Sequence, residues 1–163
     1  MAFTVIRTDL MSGTDVGADL VSLRFYDETD EPAQVENGTI VKLSELEGRE
    51  VWKAEAAEAG DDLSECAIVA TPELMYDERK RNLDEFINEA GKPARGYRPR
   101  SRNIFSITKE GFVGGTPPAK GAEVGIGADG KLDAAGTGFG TCIEIEATKR
   151  YTYYAIQIAK VEV

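Results

Sequence analysis

With 163 residues, 42% of them aliphatic, aromatic or cysteine, the chain suits one domain with a single core and is neither disordered nor a fibrous repeat. It carries no histidine and a formal net charge of −10. The missing imidazole removes the commonest general base, the Ser-His-Asp and Cys-His arrangements and most transition-metal centres. The negative total disfavours general nucleic-acid binding, where affinity comes largely from neutralising phosphates.

These exclusions leave carboxylates, lysine and tyrosine as the groups on which an enzyme could run. The expectation is a protein that is not an enzyme, with no cofactor and no metal. No run approaches the roughly 18 apolar residues that a membrane helix needs, and the start, MAFTVIRTDLMSG, lacks the basic-then-apolar pattern of a secretory leader. A soluble protein kept in the compartment of its synthesis is expected, without a membrane partner. Under those conditions Cys66 and Cys142 are expected as buried free thiols.

Residues 1–34 show no stable period. Phe3, Val5, Ile6 and then Leu20, Val21, Leu23, Phe25 could dock as extended segments. They read as an N-terminal arm or partly ordered extension, or as a pair of strands in the domain, with Pro32 near the boundary. Residues 35–163 then read as a β-rich domain.

Asn37-Gly38 is a turn dipeptide, followed by a strand over Thr39–Leu43. Val51–Ala54 and Ala67–Ala70 predict two more, separated by the acidic loop Glu55–Glu65. Leu83, Phe86, Ile87 and Ala90 fall at i, i+3, i+4 and i+7, which predicts one short helix over about Asp77–Ala90, stopped by Gly91. Ile104–Thr108 predicts a strand. Glu123–Gly127 and Lys131-Leu132 flank a turn at Ala128-Asp129-Gly130 and predict a hairpin. Thr141–Glu146 alternates, and Tyr151–Val163 supplies a last long strand. Strands of this length between glycine turns predict a mainly β fold with one short helix, a small barrel or sandwich.

Charge is unevenly spread. Residues 1–75 sum to −12, residues 76–120 to +4 and residues 121–163 to −2. The positive middle centres on Lys92, Arg95, Arg98, Arg100 and Arg102, five bases with no acid among them. Such a loop either balances local acids (Asp84, Glu85, Glu89) or docks on a partner, because arginine makes planar bidentate contacts to carboxylates. The partition points to contact with an acidic surface on another chain.

Other patterns carry less. Gly125–Gly130 fits GxGxxG, but glycines at 136, 138 and 140 oppose the helix that a pyrophosphate site requires, so a turn is expected. Asn37-Gly38-Thr39 is a glycosylation acceptor that reads better as a tight turn. Glu123, Asp129 and Asp133 lack calcium-loop spacing. Glu144 and Glu146 share a strand face, which suits solvent as well as a hydrolytic pair. Tyr151, Tyr153 and Tyr154 read as sheet packing before a stacking platform.

The order VENGTIVKL from Val35, VWKA from Val51, PELMYDERKRNLDEFINEAGKPARGYRPRSRNIFSIT from Pro72 and RYTYYAIQI from Arg150 resembles head decoration (cement) proteins of tailed bacteriophages. The resemblance covers about residues 35–158, and the stretch from Tyr76 to Tyr97 is its most specific part. It implies a small β-rich domain with an arm on the capsid surface, self-association that is frequently trimeric, and the major capsid protein as partner. It brings no catalytic residues. The expected function is a structural virion protein, made in the host cytoplasm, that binds and stabilises the assembled head through Lys92, Arg95, Arg98, Arg100 and Arg102. Another virion part (head fibre, neck or tail) is the alternative, and a carbohydrate-binding module on Trp52 and the tyrosines a lesser one.

Overall fold

Cys66, Ala67, Ile68 and Val69 form strand β5 (Cys66–Val69), and all four are fully buried. Successive side chains of a strand point to opposite faces, so a strand buried throughout must have a core on each side. In the computed structural model, which describes residues 2–9, 19–48, 50–77, 79–80 and 82–161, β5 divides the interior in this way. Ala67 and Val69 face the inside of a barrel, and Cys66 and Ile68 face a second sheet.

The barrel closes five strands in the order β2 (Leu20–Phe25), β4 (Val51–Ala56), β3 (Ile40–Glu47), β5 and β6 (Ala94–Tyr97). β2 and β4 run parallel and every other neighbour is antiparallel. A ring of five is narrow, since barrel diameter grows with strand number. Its interior is accordingly small: Ala54, Ala67 and Ala94 beside Val21, Leu23, Val41 and Val69. Gly96 has no room for a side chain, because a Cβ there would lie 2.7 Å from Leu23 Cδ2.

The second sheet runs β1 (Ile6–Arg7), β7 (Ile104–Ile107), β11 (Thr152–Ile158), β10 (Gly140–Ala147), β8 (Glu123–Ile126), β9 (Leu132–Asp133). Its Phe105, Ile107, Val124, Phe139 and Ile156 pack on Ile40, Ile68 and Tyr97 of the barrel wall. Phe105 and Phe139 meet edge to face with centroids 6.0 Å apart, a favoured arrangement for aromatic pairs. The β8–β9 turn leans directly on the barrel: Gly130 has φ +68°, and a Cβ there would come within 2.2 Å of Ile40 O. Only glycine allows that approach.

The mainly β architecture and the barrel agree with the sequence. The helix differs. Over Asp77–Ala90 the described residues hold a single 3-10 turn, Leu83–Glu85, closed by Glu85 N–H to Asn82 O at 3.0 Å. The apolar spacing is real, but Phe86 is already extended and Asn88 exchanges two backbone hydrogen bonds with Val35. A residue committed to a β-bridge cannot also continue a helical ladder.

The boundary between an arm (1–34) and a domain (35–163) does not follow the sheets. β2 is a stave of the barrel, and β1 pairs Ile6 with Ile107 at the edge of the second sheet. These described parts of 1–34 match the other expectation, strands within the domain. Residues 10–18 lie outside the described residues. The basic segment also differs from a loop throughout, since β6 takes up residues 94–97 and holds Arg95, while Arg98, Arg100 and Arg102 follow it outside the strand.

Candidate interaction surfaces

β6 pairs with β2 on one side and β5 on the other, which fixes where each base of the positive segment goes. Ala94 turns inward with Gly96, so Arg95 projects outward and is exposed. Its backbone N–H donates to Thr71 Oγ1 at 3.0 Å, and its guanidinium makes no ion pair among the described residues. Arg98 follows the strand and lies over the Trp52 ring, 5.5 Å from its centroid, with Nη1 donating to Ser64 O at 3.4 Å. Arg102 sits in a tight turn at φ +67°, exposed and without an ion pair among the described residues.

The other two bases are neutralised within the chain. Lys92 pairs with Glu89, and Arg100 Nε lies 2.7 Å from Oδ2 of the buried Asp19. The predicted five-residue site therefore reduces to Arg95, Arg98 and Arg102. Arg100 instead anchors the turn to the entrance of β2, where Arg98 N–H also donates to Asp19 O at 2.8 Å.

A second surface, which sequence reading did not assemble, lies where the barrel meets the β8–β9 turn. An open groove of about 1210 Å³ runs between residues 25–29 at and after the end of β2, residues 55–59 at and after the end of β4, residues 34–36, Ile87 and the β8–β9 turn. Phe25, Ala56 and Ile87 form a half-exposed apolar floor. Around it stand Asp27, Glu28, Glu36, Glu55, Glu58, Asp129 and Asp133 against one base, Lys131.

Several of these acids are already engaged. Glu36 Oε2 accepts from Thr4 N–H and Oγ1–H, both at 3.0 Å, and its Oε1 lies 3.5 Å from Lys131 Nζ. Asp27 Oδ1 accepts from Thr29 N–H and Oγ1–H at 2.9 and 2.7 Å, which holds its carboxyl below the usual range. Lys131 also donates to Glu110 O at 3.0 Å. Glu28, Glu55, Glu58 and Asp129 are exposed and make no ion pair among the described residues. The acids come from four separate stretches of chain, and only closure of the barrel against β8–β9 makes them neighbours.

The remaining sequence candidates are occupied structurally. Glu144 pairs with Lys120 at 2.8 Å and Glu146 with Arg7 at 2.6 Å, and neither lines the groove. Tyr153 is 7% exposed, Tyr154 meets Phe112 edge to face at 5.6 Å, and Trp52 is covered by Arg98, so these rings present no open platform. Gly125–Gly130 forms the end of β8 and its turn, as the glycine spacing after it requires. Asn37 is 0% exposed and its amide is fully used, which leaves none of it for a glycan. Cys66 and Cys142 are free and buried; burial pushes the Cys66 thiol up to about 12 and raises Cys142 as well.

Among the described residues no cluster of His, Cys, Asp or Glu has the arrangement of a metal site, and no helix is long and apolar enough to cross a membrane. Compared with known proteins, the chain matches no family, no curated relative and no solved structure.

Proposed function

We propose that this chain is a structural virion protein that binds the outer surface of an assembled bacteriophage head and stabilises it, with the major capsid protein as its partner. The observation that carries the reading is the pair Arg95, on strand β6, and Arg102, in a tight turn after it, both exposed with no ion pair among the described residues, in a chain of net charge −10. Bases left unmatched on an acidic molecule favour a partner that supplies carboxylates. The resemblance of the surrounding segment to head decoration proteins favours a capsid as that partner.

Exposed charge pairs are individually weak. A repeated lattice compensates, because several modest contacts acting together raise avidity through effective concentration. Arg98 adds a preorganised group, since stacking on Trp52 limits the freedom its guanidinium would lose on docking.

The test is occupancy on purified heads. Replacing Arg95, Arg98 and Arg102 together with alanine is expected to lower occupancy and flatten its salt dependence, while the fold stays intact by circular dichroism. Unchanged occupancy and salt dependence would overturn the role of this face. Imaging labelled protein on whole particles, with label at the neck or tail and none on the head, would overturn the capsid-surface reading.

A further inference from the structure

After β5 the chain from Thr71 to Asp77 forms neither helix nor strand. It starts from a fixed point, since the Asn37 side chain accepts from Thr71 N–H at 3.0 Å and donates to Thr71 O at 2.8 Å. Beyond that point the backbone hydrogen bonds of residues 72–77, among the described residues, are local. Leu74 N–H donates to Pro72 O at 2.8 Å, and Lys80 N–H to Asp77 O at 3.0 Å. Exposure alternates along the segment: Leu74 and Tyr76 are open to solvent, whereas Glu73, Met75 and Asp77 are half-buried. Residues 72–77 therefore form a strap held down by side chains without a backbone ladder, and such segments open at low cost.

Glu73 is the weak point of this strap. Its Oε1 is buried and has no hydrogen-bond partner among the described residues. Burial raises its pKa above the usual glutamate value, and donation from its own N–H and from the Asn37 side chain offsets only part of that. No ion pair reaches it among the described residues. On β11, Tyr154 packs inward on Phe112, so Tyr153 lies on the opposite face. Tyr153 belongs to neither core, yet it is 7% exposed. Burial, with smaller contributions from Tyr151, Glu73 and Glu146, pushes its hydroxyl up against the opposing effect of Arg7. On β1, Arg7 lies 5.0 Å from the centre of the Tyr153 ring, but its charge is taken by Asp9 and Glu146 at 2.8 and 2.6 Å. Asp77 and the exposed Lys80 share a shallow hollow with Glu73, and Asp77 is paired with Arg79 at 3.0 Å.

We propose that residues 72–77 are a pH-operated latch on the outer face of β11, closed beside Tyr153 while Glu73 is neutral and released as Glu73 ionises. A neutral carboxyl can remain in the buried site. A carboxylate there lacks the partners that its charge demands, and water supplies them once the strap lifts. The closed strap thus holds the Glu73 proton more tightly than the open one. Closure is strongest below the usual glutamate value and is lost as pH rises through the raised one. Release shifts Leu74 and Tyr76 and bares Tyr153, so the surface of this face changes with pH. The latch does not depend on the capsid reading, because every group in it belongs to this chain.

NMR titration of the full-length protein tests the proposal. The Glu73 side-chain carboxyl and the backbone amides of residues 74–77 are expected to follow one curve, centred above the usual glutamate value. Glu73→Gln keeps the shape of the neutral form, and its strap amides are expected to stay at their acid positions throughout. Thermolysin, which cuts before large apolar residues, then reads the opening at Leu74, Met75 and Tyr76. The ratio of wild-type to Glu73→Gln cutting at matched pH is expected to rise along the same curve, because cutting tracks the open population when reclosing is fast. The rise is about tenfold for each pH unit that separates the Glu73 midpoints of the closed and open strap. The wild-type titration needs no variant, so it decides even if Glu73→Gln fails to fold. An ordinary midpoint for Glu73 would overturn the latch. So would strap amides that titrate equally in Glu73→Gln, or a cutting ratio that is independent of pH.

Discussion

The side-chain amide of Asn88 donates to the side-chain carbonyl of Asn37 across 3.1 Å, joining residues 51 apart in sequence. The same Asn37 carbonyl accepts from Thr71 N–H at 3.0 Å, and its Nδ2 donates to Thr71 O at 2.8 Å. One buried amide thus ties the approach to β3, the exit from β5 and the Val35–Asn88 bridge into a single knot. Gly38, at φ +84°, lets the chain turn away immediately afterwards. The knot also sets the groove, because Val35, Glu36 and Ile87 flank its members.

Replacing Asn37 with leucine would therefore strand the Thr71 N–H and C=O and part of the Asn88 amide in a buried site. Unsatisfied buried groups cost about 1–3 kcal/mol each, moderated by relaxation and water entry. The expected loss is about 3 kcal/mol in urea denaturation, far beyond that of a turn asparagine in solvent. A loss below about 0.5 kcal/mol, the usual range for surface changes, would refute the structural role.

The two residues also show what a sequence discloses and what it hides. Asn37-Gly38 is legible as a turn because positive φ is a local property of the chain. That its side chain is an inter-element clamp is not, since Thr71 and Asn88 become neighbours only on folding. Asn88 is the sharper case. Helical spacing of Leu83, Phe86, Ile87 and Ala90 predicts a helix through it, and tertiary pairing with Val35 overrides that local preference. Eight of the nine described strands from Ile40 onward were readable, through alternation, β-branched runs or flanking turn signals. β6 was obscured because its core-facing residues are Ala94 and Gly96, which carry almost no apolar signal. The five bases were readable as a set, but their division into Arg95, Arg98 and Arg102 against Lys92 and Arg100 depends on where Glu89 and Asp19 fall. The groove was hidden for the same reason, as its acids come from segments that local patterning treats as unrelated loops.

Gly96 tests the small interior of the barrel. On an unobstructed strand, alanine in place of glycine stabilises by about 0.5–1 kcal/mol through backbone entropy. Here the new Cβ would lie 2.7 Å from Leu23 Cδ2, 3.1 Å from Val21 Cγ2 and 3.3 Å from Ala67 Cβ. Overpacking of this kind costs about 1–3 kcal/mol, so it outweighs the entropic gain. Gly96→Ala is expected to lower stability by about 1–2 kcal/mol in equilibrium denaturation. Adding Leu23→Val should recover part of that loss, because the two changes share one space and so are not additive. A more stable Gly96→Ala protein would show that the barrel interior has slack.

Cys66 gives a dependence on pH. Its thiol is 0% exposed at the wall between the two cores, and burial raises its pKa from 9.0 to about 12. The folded state holds the proton across a range in which the unfolded state releases it. With fewer protons bound in the unfolded state, stability falls as pH rises. The contribution is complete below about 9 and is lost progressively on the way to about 12. One proton sets a limit of about 1.4 kcal/mol per pH unit. Between pH 8.5 and 10.5, wild-type stability should fall more steeply than that of Cys66→Ala, whatever baseline cost the smaller side chain brings. The thiol should also resist a disulfide reagent at pH 8 in the native protein and react fully once unfolded, since the thiolate is the reactive species. Equal slopes for the two proteins, or rapid labelling of native Cys66, would mean that this wall of the barrel opens to solvent.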